Sequence, residues 1–202
     1  MRQKRSVLEY LEDICRALKL PEDRKKAMVE LYEQLSKNVH SKKFVAVSRR
    51  DAVASSIAYT SLRLAGYPIA ISDVCNAIGA GVRLVTKINR KIKKATGISV
   101  KPARVEDFLK KYSQMLNCDR KLINKALKYA KYIRKKGKGS ILYSKYTTLA
   151  ILCLTSLNLG YVGTKKEFIS QLISSKSLSN TEIPNINYRI RQVQMCCDGA
   201  KI

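Results

Sequence analysis

AVASSIAYTSLRL, residues 52–64, is apolar or small at almost every position. A helix of this composition has no polar face to turn to water, so it must be surrounded by other helices. A second such stretch, YTTLAILCLTSLNL at residues 146–159, lies in the other half of the chain. The triplet Thr60-Ser61-Leu62 recurs within it as Thr155-Ser156-Leu157, at an offset of 95 residues. Leu11 and Leu18 match Leu109 and Leu116 at a similar offset of 98. The repetition points to two helical domains, each assembled around its own central helix.

Apolar residues at intervals of three and four extend this reading in both directions. They predict helices over 6–19, 23–39, 50–65, 72–78 and 82–95, with Gly79-Ala80-Gly81 and Gly97 as stops. In the second half Pro102 starts a helix carrying Val105, Leu109, Tyr112 and Leu116 on one face. Asp119 caps the next, and a basic loop, Lys135-Lys136-Gly137-Lys138-Gly139, precedes the apolar helix. Thr164-Lys165-Lys166-Glu167 has the S/T-x-x-E capping pattern and opens a short helix. Asn180 or Thr181 caps the last helix, with Pro184 in its first turn and Ile186, Ile190 and Val193 inward. The expected fold is all-α: two tandem five-helix domains, 1–98 and 101–202, the second ending in a tail that holds Cys196 and Cys197.

The 202 residues include 40 Lys and Arg against 15 Asp and Glu, a formal net charge of +25. Self-repulsion of this size opposes compaction, and a polyanionic partner relieves it. With 46% hydrophobic residues the chain is nonetheless able to build a core. A single histidine, His40, and six cysteines without C-x-x-C spacing give no zinc or multi-residue catalytic pattern. No acid–base pair or nucleophile set stands out, so no enzymatic activity and no cofactor or metal are expected. No apolar run is long enough to span a membrane, and no secretory leader or phosphate-binding glycine loop is present. Isolated cysteines in apolar helical patterns fit a reducing compartment.

The candidate chemistry is therefore binding. Arg83, Lys87, Arg90 and Lys94 recur at four, three and four residues, a basic stripe opposite the apolar one. Lys121, Lys125, Lys128 and Lys135 repeat the pattern in the second half. Lys138, Lys145, Lys165 and Lys166 are further candidates for phosphate contacts. For reading bases the last helix offers Asn187, Arg189 and Arg191 near its start, since Asn pairs with adenine and Arg with guanine. Tyr129, Tyr132 and Tyr143 near the basic loop leave a stacking role open.

Several of these segments resemble the core of transcription factor IIB and its archaeal counterpart, over nearly the whole chain. Tyr59-Thr60-Ser61-Leu62-Arg63 followed by Pro68-Ile69-Ala70-Ile71-Ser72-Asp73-Val74 is similar to that family's Y-x-A-C-R and P-R-T-x-x-E-I. Ile88-Asn89-Arg90-Lys91-Ile92 resembles its I-G-R-x-Y, and Val100-Lys101-Pro102 stands where the second repeat begins. Gly163-Thr164-Lys165-Lys166-Glu167-Phe168 is similar to its R-T-Q-x-E-V. Two positions depart from the pattern. Val47-Ser48 replaces a Gly-Arg, and Asn187 stands where the family places a major-groove Arg.

The resemblance implies two cyclin-like repeats and a general transcription initiation factor. Such a core would bind promoter DNA with TATA-binding protein or a related factor, help recruit RNA polymerase in a pre-initiation complex, and act as a monomer. It implies a nuclear setting, or alternatively an archaeal cytoplasm, and either a fragment or a core-only member, since the family's zinc ribbon is absent from the sequence. Two other readings remain: a cyclin-type regulatory subunit of a kinase, and a non-specific nucleic-acid-binding protein.

Overall fold

The computed structural model describes residues 5–175 and 180–197, and every regular element among them is helical. The chain divides into two compact units, Met1–Pro102 and Ala103–Ile202. The boundary falls just beyond the 97–101 junction expected from the sequence.

In the first unit α1 (Val7–Ala17) opens with a capping box. The Glu9 N–H donates to Ser6 Oγ at 3.1 Å, and the Ser6 N–H donates to Glu9 Oε2 at 2.5 Å. α2 (Glu22–Lys37) packs beside it. α4 (Arg50–Leu64) is the central element, buried continuously from Asp51 to Leu62 and covered by α1, α2, α5 (Ile71–Ile78) and α6 (Val82–Thr96). Its small residues allow this close approach on all sides, and Ser56 is satisfied within the core: its Oγ lies 2.8 Å from Ala52 O and 3.1 Å from Val85 O on α6. Gly79 and Gly97 end α5 and α6 in the left-handed region, at φ +70° and +73°.

Among its described residues this unit holds six helices, not the five expected. α3 (Val39–Val47) lies between the helices expected over 23–39 and 50–65, where the spacing predicts none. Asn38 leaves the helical region at ψ 128° and restarts the chain: its Oδ1 accepts from His40 N at 2.9 Å and Ser41 N at 3.2 Å. Ser41 is fully buried and donates to Leu35 O at 2.5 Å, which fixes the turn between α2 and α3.

The second unit comprises α7 (Val105–Met115), α8 (Arg120–Lys135), a 3-10 turn (Gly139–Tyr143), α9 (Lys145–Leu159), α10 (Lys165–Ser174), a second 3-10 turn (Asn180–Glu182) and α11 (Ile183–Cys197). α9 is its centre, buried without interruption from Thr147 to Ser156 against α7, α8 and α11. Both expected caps are present: Leu122 N donates to Asp119 Oδ1 at 2.7 Å, and Glu167 N to Thr164 Oγ1 at 3.1 Å. α7 begins three residues later than Pro102, because the Asp107 carboxylate receives the Arg104 N–H at 3.0 Å and sets the start there. Asn180 and Thr181 lie in the 3-10 turn that runs directly into α11. Cys196 and Cys197 belong to the last turn of α11, so the expected tail does not include them.

Lys145 is the clearest correction. It was expected to reach phosphate, but it is only 3% exposed. Its Nζ donates to Glu182 Oε1 at 2.6 Å, and Tyr146 OH donates to the same oxygen at 2.7 Å. Position decides this: Lys145 opens the buried helix α9, and the turn before α11 brings a carboxylate from 37 residues away. An ammonium is tolerated in such a place only when paired.

Removing one partner of a buried pair costs about 3–5 kcal/mol, because the other charge is left uncompensated. Glu182→Ala is therefore expected to lower unfolding free energy by that amount in urea titrations. The double variant Lys145→Met, Glu182→Leu should regain most of it. In the first unit Ile57→Ala, at a fully buried α4 position, should cost about 2–5 kcal/mol by the same measurement.

Candidate nucleic-acid interface

The inward stripe of α6 is Val85, Ile88 and Ile92, all essentially buried. At 100° per residue this leaves Arg83, Lys87, Arg90 and Lys94 within one narrow strip on the opposite side, about 16 Å long at 1.5 Å per residue. All four are exposed, and among the described residues none meets a carboxylate. The stripe serves its own helix at one end only, where Lys94 lies in the last turn. The first turn of α6 has no acidic residue and carries Arg83, the sign that the helix dipole disfavours there.

In α8 the cations Lys121, Lys128 and Lys135 are exposed and Lys125 is half-buried. Lys138 is exposed just beyond Gly137, whose φ of +72° turns the chain out of α8. Lys166 is exposed and Lys165 half-buried at the start of α10. Each of the five described carboxylates of the second unit has an internal role. Glu106 receives Arg134 Nη2 at 2.5 Å, Asp107 and Asp119 cap α7 and α8, Glu167 receives Gly163 N at 2.8 Å, and Glu182 holds Lys145. These pairings commit every described carboxylate of this unit, while Lys121, Lys128, Lys135, Lys138 and Lys166 are exposed. From residue 101 onward there are 20 basic and 6 acidic residues, a formal +14.

The start of α11 is less open than expected. Asn187 is half-buried, and its Oδ1 is covered and without a hydrogen-bond partner. As placed, the amide cannot offer its carbonyl and its NH2 together to a base edge, as bidentate adenine recognition requires. Arg189 is half-buried too: its Nη1 donates to Gln192 Oε1 at 2.5 Å and its guanidinium lies 5.6 Å from the centre of the Tyr188 ring. Gln192 Nε2 in turn donates to Tyr188 OH at 2.8 Å. Arg191 is exposed.

One feature has no signal in the sequence. Arg104, Arg134, Gly139, Ser140, Leu142 and Tyr143 line an open cleft of about 470 Å3. The two arginines are 30 positions apart, and no spacing rule joins them. The packing of α7 against α8, with the Arg134–Glu106 ion pair tying the end of α8 to the first turn of α7, brings them to one place.

Cys75 and Cys153 are both buried. Burial pushes the Cys75 thiol up to about 11 and the Cys153 thiol up to about 12, so both stay protonated and unreactive at neutral pH. No group of three metal-ligating side chains occurs among the described residues, and no described helix is long and apolar enough to cross a membrane.

No family model matches this chain, and no curated protein matches it in sequence.

Proposed function

We propose that this chain is a DNA-binding core of the transcription-initiation type, which holds duplex DNA mainly through its phosphates and takes its choice of promoter from a protein partner. The observation that carries the reading is the row Arg83, Lys87, Arg90 and Lys94. It is exposed, unpaired among the described residues, and begins with Arg83 at a helix end whose dipole disfavours a cation. A charged row of this kind finds its counter-ions on a nucleic-acid backbone, where condensed cations are released as it binds. The two-repeat resemblance to transcription factor IIB narrows the class to promoter assembly with TATA-binding protein, or a related factor, and RNA polymerase. The covered Asn187 amide and the internally bonded Arg189 favour weak base selectivity, because phosphate contacts position a protein without specifying sequence.

Neutralising about 6–8 phosphates gives a log–log salt slope near −5 to −7 for duplex DNA. Titrations of the purified chain at several salt concentrations should show it, and Arg83→Glu, Lys87→Glu, Arg90→Glu together should weaken binding to all sequences alike. An affinity indifferent to salt would refute the reading. Selection on randomised duplexes should return at most a faint motif from the chain alone, and Arg189→Ala should change it little. A sharp motif that disappears with Arg189 would show that α11 reads bases.

A further inference from the structure

The basic faces of α6 and α8 account for duplex phosphates, but not for the cleft beside the 3-10 turn. Its chemistry differs from theirs. Two guanidinium groups, a hydroxyl and an aromatic ring converge on one concavity, where the helical faces present single ammonium and guanidinium heads in rows. At about 470 Å3 the cleft falls within the usual size range of small-molecule sites, about 300–1,000 Å3.

Arg104 is exposed, and its guanidinium has no ion pair among the described residues. Arg134 commits one of its five donors, through Nη2, to Glu106 Oε1. That bond aims the guanidinium and, among the described residues, leaves its other N–H groups open. Gly139 packs against the Arg134 stem: a Cβ built on Gly139 would lie 3.8 Å from Arg134 Cγ. The side chain is therefore held from two sides. Glu106 opposes an incoming anion. Burial pushes its carboxyl up, yet the Arg134 hydrogen bond, a backbone hydrogen bond and the charges of Arg134 and Arg104 together outweigh this and hold it below the usual carboxylate range, so it stays ionised. Its one negative charge faces two arginines, with exposed Lys136 and Lys138 on the adjoining loop. At the other wall Tyr143 is 48% exposed and Ser140 is exposed. A large apolar ring left half in water at the rim of a cationic cleft has the form of a stacking platform.

We propose that this cleft is a subsite for one unpaired nucleotide: its phosphate sits between Arg104 and Arg134, and its base stacks on Tyr143. The base must be unpaired because a ring at the wall of a concavity cannot reach the face of a base inside a duplex stack. The proposal rests on the nucleic-acid reading above and deepens it: the second unit takes hold of single-stranded nucleic acid as well as duplex phosphates.

The test is fluorescence anisotropy on the full chain, with a labelled single strand of about ten nucleotides and a duplex of the same sequence. Tyr143→Ala and Arg104→Ala should each weaken single-strand binding roughly tenfold and leave duplex binding within about twofold. Tyr143→Phe should bind as wild type does, and Glu106→Gln should bind the single strand more tightly. Circular dichroism melting of each variant checks that the fold is intact. Single-strand affinity unchanged in both alanine variants overturns the subsite while leaving the duplex reading in place. Equal losses on single strand and duplex also overturn it, because they reduce the cleft to part of the general basic surface. Failure of the wild type to bind either probe overturns the functional reading itself.

Discussion

The outward face of α6 is set by what happens on its inward face. Ser56, deep in α4, places its Oγ 3.1 Å from the carbonyl of Val85, and Val85, Ile88 and Ile92 close over the same core. That contact fixes both the height and the rotation of α6 against the central helix. With 3.6 residues per turn, fixing the apolar side fixes the basic side. Arg83, Lys87, Arg90 and Lys94 thus share one strip because the core allows α6 a single rotation. A turn of one residue would bury Arg83 or Lys87 and expose Val85. The cost of burying an unpaired charge forbids it.

The distribution of acid groups gives this geometry its electrostatic meaning. In the first unit the carboxylates lie on α1, α2 and the first turns of α4 and α5. Asp13 pairs with Arg5 and Arg16, Glu12 with Lys25, Asp51 with Arg49, while Asp73 caps α5. In the second unit each described carboxylate is spent on a cap or an internal pair. Such pairs are worth little individually when exposed. Their effect here is to empty α6 and α8 of negative charge, so their positive potential is not cancelled locally. A chain that needed only solubility would intersperse the two signs; this one separates them.

What could be read from the sequence divides along physical lines. The two central helices were legible because burial on all sides leaves a composition that no exposed helix has. The basic strip on α6 was legible because periodicity alone places it. α3 was missed although Asn38 is a good capping residue, since its amphipathic signal is faint and a cap is recognised only once a helix is suspected behind it. Lys145 was misjudged because its surroundings depend on Glu182, and no local rule brings a turn 37 residues downstream to the start of α9. The Arg104–Arg134 cleft was invisible for the same reason: it depends on the packing of α7 against the end of α8. Properties of one helix were readable; properties of a junction between elements were not.

α11 shows how packing limits what a helix can read. Ile186, Ile190 and Val193 are buried against α9 along most of its length. Asn187 stands next to Ile186, close enough to the buried edge for its carbonyl to be covered, whereas Arg191 is turned out to water. Between them Tyr188, Arg189 and Gln192 bond to one another within the helix. This arrangement holds the Arg189 guanidinium against an aromatic face and lowers the entropy lost on binding. It also uses a donor that a guanine would need, unless Gln192 releases it. A pre-set guanidinium with donors to spare is suited to a phosphate, which accepts from many directions. A guanine edge accepts only along two fixed ones. The intrahelical bonds of α11 therefore suit grip on an anion over discrimination of bases, as do the rows on α6 and α8, and in the function proposed above sequence choice falls to a protein partner.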